Sequence, residues 1–167
     1  KYQLLRKLFV PIVKQYIVLS KESYYYLLDT INIKQNKINH IYNGVDLDKF
    51  SATTALTNDL VPGDFISDNT LVFGTVGRMA EVKNQLFLVN AFFELLDKHP
   101  EFNDRIRLLI VGDGILLKPA QKLVNDYYKQ HHEKNSSVHF TGKTDKVAEL
   151  LRLMNVFVLP SLAEGIS

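Results

Sequence analysis

The 167-residue sequence contains no cysteine. That excludes a disulfide scaffold, a zinc–thiolate site, a cysteine nucleophile and an iron–sulfur cluster, and it fits a reducing compartment. No apolar run approaches the ~18 residues of a membrane-spanning helix, and no signal-peptide pattern opens the chain. An excess of charge of one sign is also missing. Lys and Arg total 20 against 18 Asp and Glu, a formal net charge of +2, so no polyanion-binding surface follows from balance alone. Three familiar signatures are incomplete or absent. Gly112-Asp113-Gly114 starts like a dinucleotide fingerprint, but Leu117 stands where the third glycine would fall, which disfavours NAD binding. Neither a G-x-x-x-x-G-K-S/T phosphate loop nor a G-x-S-x-G nucleophile elbow occurs.

What is present is the composition of a folded chain, 46% hydrophobic and 23% charged, long enough to bury a core without covalent staples. The charge is uneven. Residues 1–50 carry eight Lys/Arg against four Asp/Glu, and residues 51–167 carry twelve against fourteen. The basic opening reads either as a solvated face or as a weak attraction to acidic lipid or a phosphorylated acceptor. The chain begins at Lys1 and ends at Glu164-Gly165-Ile166-Ser167, just after an apolar run and a proline. It reads as an internal piece of a longer protein.

Leu4, Leu5, Leu8 and Phe9 have helical spacing, and Pro11 either kinks that helix or begins a second. Tyr16–Ser20 and Lys37–Tyr42 read as short strands. Between them a helix is expected from Lys21 to about Thr30, with Ser20 as N-cap. Asn43-Gly44 marks a turn, and residues 51–69, rich in Ser, Thr, Asn and Asp around Pro62-Gly63, read as a linker.

Beyond it the pattern becomes regular. Strands are expected at Leu71–Val76, Ile106–Val111, Val138–Thr141 and Val156–Leu159. The intervening helices are expected at Asn84–Lys98, after Gly114 with Pro119 in the first turn, and over Val147–Met154. The unbroken Leu108-Leu109-Ile110-Val111 suits a parallel strand buried on both faces. Strand–helix alternation of this kind argues for an α/β fold with a parallel sheet. Ligands of such sheets bind beyond the carboxyl ends of the strands, here residues 77–84, 112–115, 141–145 and 160–167.

The first of these loops carries Arg78 at the end of a strand and Lys83 just before a helix. A cation at a helix N-terminus opposes the helix dipole, an arrangement that makes sense if an anion sits there. Arg can hold a phosphate with two parallel hydrogen bonds, and Lys adds a point charge. Alternatively, Lys83 pairs with Glu81 or points to water. Glu164 is either a first-turn carboxylate or an acceptor for substrate hydroxyls. Asp46 and Asp48 could hold a divalent metal, although a turn pair after Asn43-Gly44 is the simpler reading. For His131-His132-Glu133 a polar helix end is preferred over a metal cluster.

Five segments in order resemble a known family. They are Ile41-Tyr42-Asn43-Gly44-Val45-Asp46 with Phe50; Gly74-Thr75-Val76-Gly77-Arg78 with Lys83-Asn84; Leu109–Gly114; Val138-His139-Phe140-Thr141-Gly142; and Val156–Gly165. Together they look like the group-1 glycosyltransferases, also called glycosyltransferase family 4, from about residue 12 to the end. The finer likeness is to sugar transferases of exosortase-associated exopolysaccharide loci. The resemblance implies a GT-B fold, two Rossmann-like domains facing across a cleft. Residues 1–45 would be the tail of the N-terminal, acceptor-binding domain and the crossover. Residues 46–167 would be the first part of the domain that binds the nucleotide-sugar donor.

The resemblance also implies roles. Arg78 and Lys83, with Gly77, would grip the donor diphosphate. Glu164, Gly165 and Ile166 would meet the donor sugar. Thr141, Gly142 and Lys143 would hold the base. Arg78, Lys83 and Glu164 would be the catalytic set. The activity implied is retaining transfer of a sugar from a nucleotide diphosphate to a glycan or lipid-linked hydroxyl in polysaccharide biosynthesis, without metal or other cofactor and without nucleic acid. The second glutamate of the family's motif, which meets the ribose, would fall beyond Ser167, and the isolated chain is expected to be inactive. A cytoplasmic protein is expected, with contact at the inner face of the membrane as a hypothesis. A nucleotide-sugar epimerase of the same fold and a nucleotide-binding module without chemistry stay open as alternatives.

Overall fold

A computed structural model describes residues 2–50, 58–131 and 137–164. They fall into two compact units, Lys1–Asp46 with Glu164–Ser167, and Leu47–Ala163.

The first unit contains α1 (Tyr2–Phe9), β1 (Tyr16–Val18), α2 (Lys21–Tyr25) and β2 (Ile38–His40). The two strands pair in parallel, Tyr16 opposite Ile38 and Val18 opposite His40. Ser20 caps α2, its hydroxyl accepting from the Ser23 N–H at 3.2 Å. Val18, Ile31, Ile33 and Ile38 form the core of this unit. Two expectations change. Pro11 neither kinks nor starts a helix: α1 stops at Phe9, and the Ile12 and Val13 N–H groups both close back onto the Phe9 carbonyl. The helix from Lys21 is α-helical only to Tyr25. It then widens into a π turn over Tyr26–Thr30, closed by the Ile31 N–H on the Tyr26 carbonyl, a bond spanning five residues instead of four.

The second unit is a four-stranded, wholly parallel sheet in the order β5-β4-β3-β6. The strands are β3 (Leu71–Val76), β4 (Ile106–Val111), β5 (Val138–Gly142) and β6 (Val156–Phe157), and the helices between them are α3 (Gln85–Lys98), α4 (Leu117–His131) and α5 (Val147–Arg152). The unbroken apolar run of β4 is explained by its two faces. Side chains alternate across a strand. Ile106, Leu108 and Ile110 pack under α3 and α4, while Leu109 and Val111 pack with Phe65 and Leu150 on the other side. Each such side chain contributes about 1.5–3 kcal/mol by leaving water. Between α3 and α4, Phe93 stacks on Tyr127 with centroids 3.8 Å apart.

Residues 58–69 are not a free linker. A 3-10 turn at Asn58–Leu60 leads into Phe65, which is 3% exposed and docks on the sheet beside Val72 and Leu109. The polar composition hid the few apolar side chains that anchor this stretch. Residues 51–57 lie outside the described residues. α5 ends at Arg152, so Met154 lies beyond the helix, over Gly74. β6 pairs with β3 only at Val156 and Phe157, and the Val158 N–H then closes on the Gly74 carbonyl at 2.7 Å.

The loops leaving the carboxyl ends lie main chain on main chain. The Gly77 N–H donates to the Val111 carbonyl (2.9 Å), Met79 N–H to Asp113 carbonyl (2.9 Å), Leu116 N–H to Met79 carbonyl (3.2 Å) and Gly112 N–H to Gly142 carbonyl (3.1 Å). Two glycines allow this. Gly112 (φ +136°) and Gly114 (φ +153°) would each carry a Cβ 2.0 Å from the Gly77 oxygen and 2.4 Å from the Met79 oxygen, respectively. No side chain fits against a backbone oxygen at such distances, and the positive φ is itself unfavourable for L residues.

Two outcomes are expected. Gly112→Ala should destabilise the chain by at least about 2 kcal/mol through overpacking and backbone strain, seen as a fall of roughly 5 °C or more in melting temperature. Gly44→Ala and Gly63→Ala, where nothing lies within 4 Å, should be close to neutral, and an unshifted Gly112→Ala would contradict the loop packing. The second concerns pH. Burial beside Phe65 (ring centroids 5.6 Å apart) holds the His139 imidazole below its ordinary pKa of 6.5. As pH falls below that value the unfolded chain takes up the proton first, so stability is lost on acidification towards the lower folded pKa. Thermal melts between about pH 7.5 and about pH 5.5 should show a smaller loss in His139→Gln than in the parent chain.

Candidate functional site

From β3 the sheet continues through β4 to β5 on one side, and β6 returns to pair with β3 on the other. The strand order therefore reverses between β3 and β6. The carboxyl ends flanking such a reversal form a crevice where open parallel sheets bind ligands. The loops at this crevice are residues 77–84 from β3 and 158–162 from β6.

The β3 loop is built in three steps. Gly77 ends the strand, and Arg78 next to it is exposed. Met79, fully buried, anchors the loop in the core between sheet, α3 and α4. A 3-10 turn over Glu81–Lys83 then returns the chain to the rim, where Asn84 takes the left-handed conformation (φ 57°, ψ 30°) and α3 starts at Gln85. Asparagine tolerates that region better than most residues. The Lys83 stem passes back over Gly77, its Cδ lying 3.9 Å from where a Cβ on Gly77 would stand. Arg78, Gly77 and Lys83 are thus gathered at the carboxyl end of one strand, beside the N-terminus of a 14-residue helix.

Asn84 precedes α3 without capping it by its side chain. Its Nδ2 instead donates to the Pro160 carbonyl (3.2 Å), while the Leu162 N–H donates to the Val82 carbonyl (2.8 Å). These two bonds fasten the β3 and β6 loops together across the crevice. Gln85, 1% exposed, sends its Nε2 to the Arg78 carbonyl at 3.1 Å. Sequence reading missed both amides as structural parts of the site. Gln85 had a signal: it occupies the same helical stripe as Val89, Phe92, Phe93 and Leu96, the buried face of α3, where a polar side chain is out of place unless it has a partner. Asn84 had little signal, because its partner lies 76 residues away.

The other expected residues are distributed as follows. Thr141 is the extra residue of a register shift between β5 and β4, its Oγ1 donating to the Gly142 carbonyl at 3.0 Å, and Gly142 turns with φ +68°. Lys143 is exposed. This loop leaves the same edge of the sheet two strands from β3, roughly 10 Å at ordinary strand spacing. Glu164 is exposed and groups with the first unit. Gly165 and Ile166 lie outside the described residues, as do His132 and Glu133. Among the described residues no group of three or more His, Asp or Glu could hold a metal ion, and no helix is long and apolar enough to cross a membrane.

Chemically, an arginine and a lysine beside a helix N-terminus are groups that can receive an anion, since guanidinium, ammonium and dipole each attract negative charge.

The family model of glycosyl transferases group 1 matches residues 70–167. The glycosyltransferase EpsF of Bacillus subtilis is 29% identical over 143 residues, covering 84% of this chain and 34% of its own. The Escherichia coli UDP-Gal:alpha-D-GlcNAc-diphosphoundecaprenol alpha-1,3-galactosyltransferase is 33% identical over 133 residues, covering 77% of this chain and 32% of its own. Among solved structures, HepE of Anabaena in complex with UDP superposes with a TM-score of 0.68 at 18% identity, covering 98% of this chain and 43% of HepE. The chain thus spans about a third of the length of these curated relatives, and its α/β architecture is part of a GT-B fold. With the family matched over more than half of its residues, the chain belongs to the glycosyl transferases group 1.

Proposed function

We propose that this chain carries the donor-binding half-site of a retaining glycosyltransferase, one that moves a sugar from a nucleotide diphosphate to a hydroxyl of a glycan or lipid-linked glycan. The observation that carries the reading is the placement of Arg78 and Lys83 around Gly77, at the helix N-terminus beside the strand-order reversal. The likeness to HepE, solved with UDP, and to a galactosyltransferase whose name records a UDP-sugar donor and a diphospho-lipid acceptor supports the same ligand class.

In this reading the Arg78 guanidinium and the Lys83 ammonium meet the two linked phosphates. They stabilise the charge that grows on the diphosphate as the bond from the sugar C1 to the phosphate oxygen breaks. Preorganised charge of this kind is often the largest catalytic contribution. Glu164, Gly165 and Ile166 meet the donor sugar, the Glu164 carboxylate accepting hydrogen bonds from its hydroxyls. Thr141, Gly142 and Lys143 receive the base. The acceptor oxygen forms the new bond to C1 on the face the diphosphate leaves, and its proton passes to the departing phosphate oxygen. Neither a metal nor another cofactor takes part. Residues 1–45 belong to the acceptor-side domain and the crossover, and the 167 residues alone bind donor without turning it over. The protein acts in the cytoplasm, and its basic first fifty residues meet the inner face of the membrane.

The test is a thermal-shift screen against UDP-, GDP- and ADP-sugars. At least one should raise the melting temperature by mass action. Arg78→Ala and Lys83→Ala should each weaken that ligand by about tenfold or more, the loss of roughly 1.4 kcal/mol expected for a charge-assisted contact. Equal shifts in the parent and both variants would rule out the cation pair as the diphosphate site.

A further inference from the structure

We propose that Gln85 is a positioning residue for the diphosphate site, holding the main chain of Arg78 so that the guanidinium leaves the strand end in the direction the anion requires. The inference rests on the diphosphate reading above and deepens it.

Three observations converge on this residue. Gln85 is the first residue of α3 and lies on its buried face at 1% exposure, above Val89, Phe92, Phe93 and Leu96. An apolar side chain there would extend the stripe at no desolvation cost, whereas a buried carboxamide must find partners. Its Nε2 finds one, the Arg78 carbonyl at 3.1 Å. Its Oε1 is buried and finds none among the described residues. Half of the amide is therefore unsatisfied, so the residue is a poor choice for stability alone. What it gains is a fixed point. The same Nε2 lies 3.8 Å from the position a Cβ on Gly77 would take, with the Lys83 Cδ at 3.9 Å from that same point. The carboxamide and the lysine stem thus flank Gly77 together, one tying down the main chain that bears the first cation and the other carrying the second.

The loop needs such a tie. Met79 on the far side of Arg78 is anchored by the Asp113 carbonyl, and Gly77 on the near side by the Val111 carbonyl. The Arg78 carbonyl between them points to the Gln85 amide. With that bond in place the three successive peptides at the strand end are all held, so Arg78 projects from a rigid base and loses little main-chain freedom when the anion arrives.

The experiment is calorimetric titration with inorganic pyrophosphate and with UDP, alongside unliganded thermal melts. Gln85→Met keeps the length and volume, removes the bond to Arg78 and removes the unsatisfied acceptor. Its unliganded melting temperature should equal or exceed that of the parent, while its Kd for pyrophosphate and UDP rises about tenfold. In an Arg78→Ala background the same substitution should change Kd by less than about twofold, because the amide acts through the arginine. A merely structural glutamine would give the opposite pattern, lower stability with unchanged Kd. The inference is overturned by an unchanged Kd in Gln85→Met, or by an equal loss of affinity with and without Arg78. Failure of both Gln85→Met and the shorter Gln85→Asn to fold would also overturn it. If the parent binds and Arg78→Ala does not, an unaffected Gln85→Met removes only the positioning role. If the parent binds neither pyrophosphate nor UDP, the diphosphate reading itself falls and takes this inference with it.

Discussion

The site depends on main chain lying directly on main chain at the carboxyl edge of the sheet. Gly112 and Gly114 bring their loop so near to residues 77–79 that a single methyl would overlap a carbonyl oxygen. Once the loops touch at that distance, their N–H and C=O groups satisfy one another, from Gly142 through Gly112 and Asp113 to Met79. The Asn84 side chain and the Leu162 N–H extend the connection to the β6 loop. Buried main-chain groups must be paired, and here the pairing doubles as the scaffold of the rim. Long side chains could not hold these loops so firmly, since each would bring rotamers of its own.

On that rim two basic side chains meet a helix N-terminus. Arg78 and Lys83 sit where the N-terminus of α3 already presents positive potential. Guanidinium, ammonium and helix dipole all attract negative charge. In the proposed reading, a diphosphate leaving group needs charge fixed in place before the reaction, and a rigid rim bearing Arg78 and Lys83 would supply it. The anion proposed for it is the diphosphate of a nucleotide sugar, and the chain's membership of the glycosyl transferases group 1 supports that reading.

Much of the second unit was legible from local pattern. The four-residue apolar run of β4, the stripe of α3 and the stripe of α4 announce a buried parallel strand between helices, because burial on both faces or on one leaves a distinct period in the residues. The position of Arg78 and Lys83 at a strand end and a helix start was legible for the same reason. Where local pattern misled, a few side chains outweighed the average: Phe65 docks a segment whose composition is that of a linker, and β6 stops pairing after two residues although the apolar run continues to Leu159. The π turn after Tyr25 left no mark in the periodicity, since one residue added to a single turn is too short to shift a stripe.

The sequence by itself determined the α/β class, the identity of the elements and the family, all of which rest on residue types at fixed short spacings. Only the tertiary structure decided which strand lies beside which, that β6 returns next to β3, and that Asn84 and Gln85 turn their amides to Pro160 and Arg78. Those choices are settled by the pairing of groups far apart in the chain or across a sheet edge. A donor and an acceptor separated by 76 residues leave no periodic trace in the order of the amino acids.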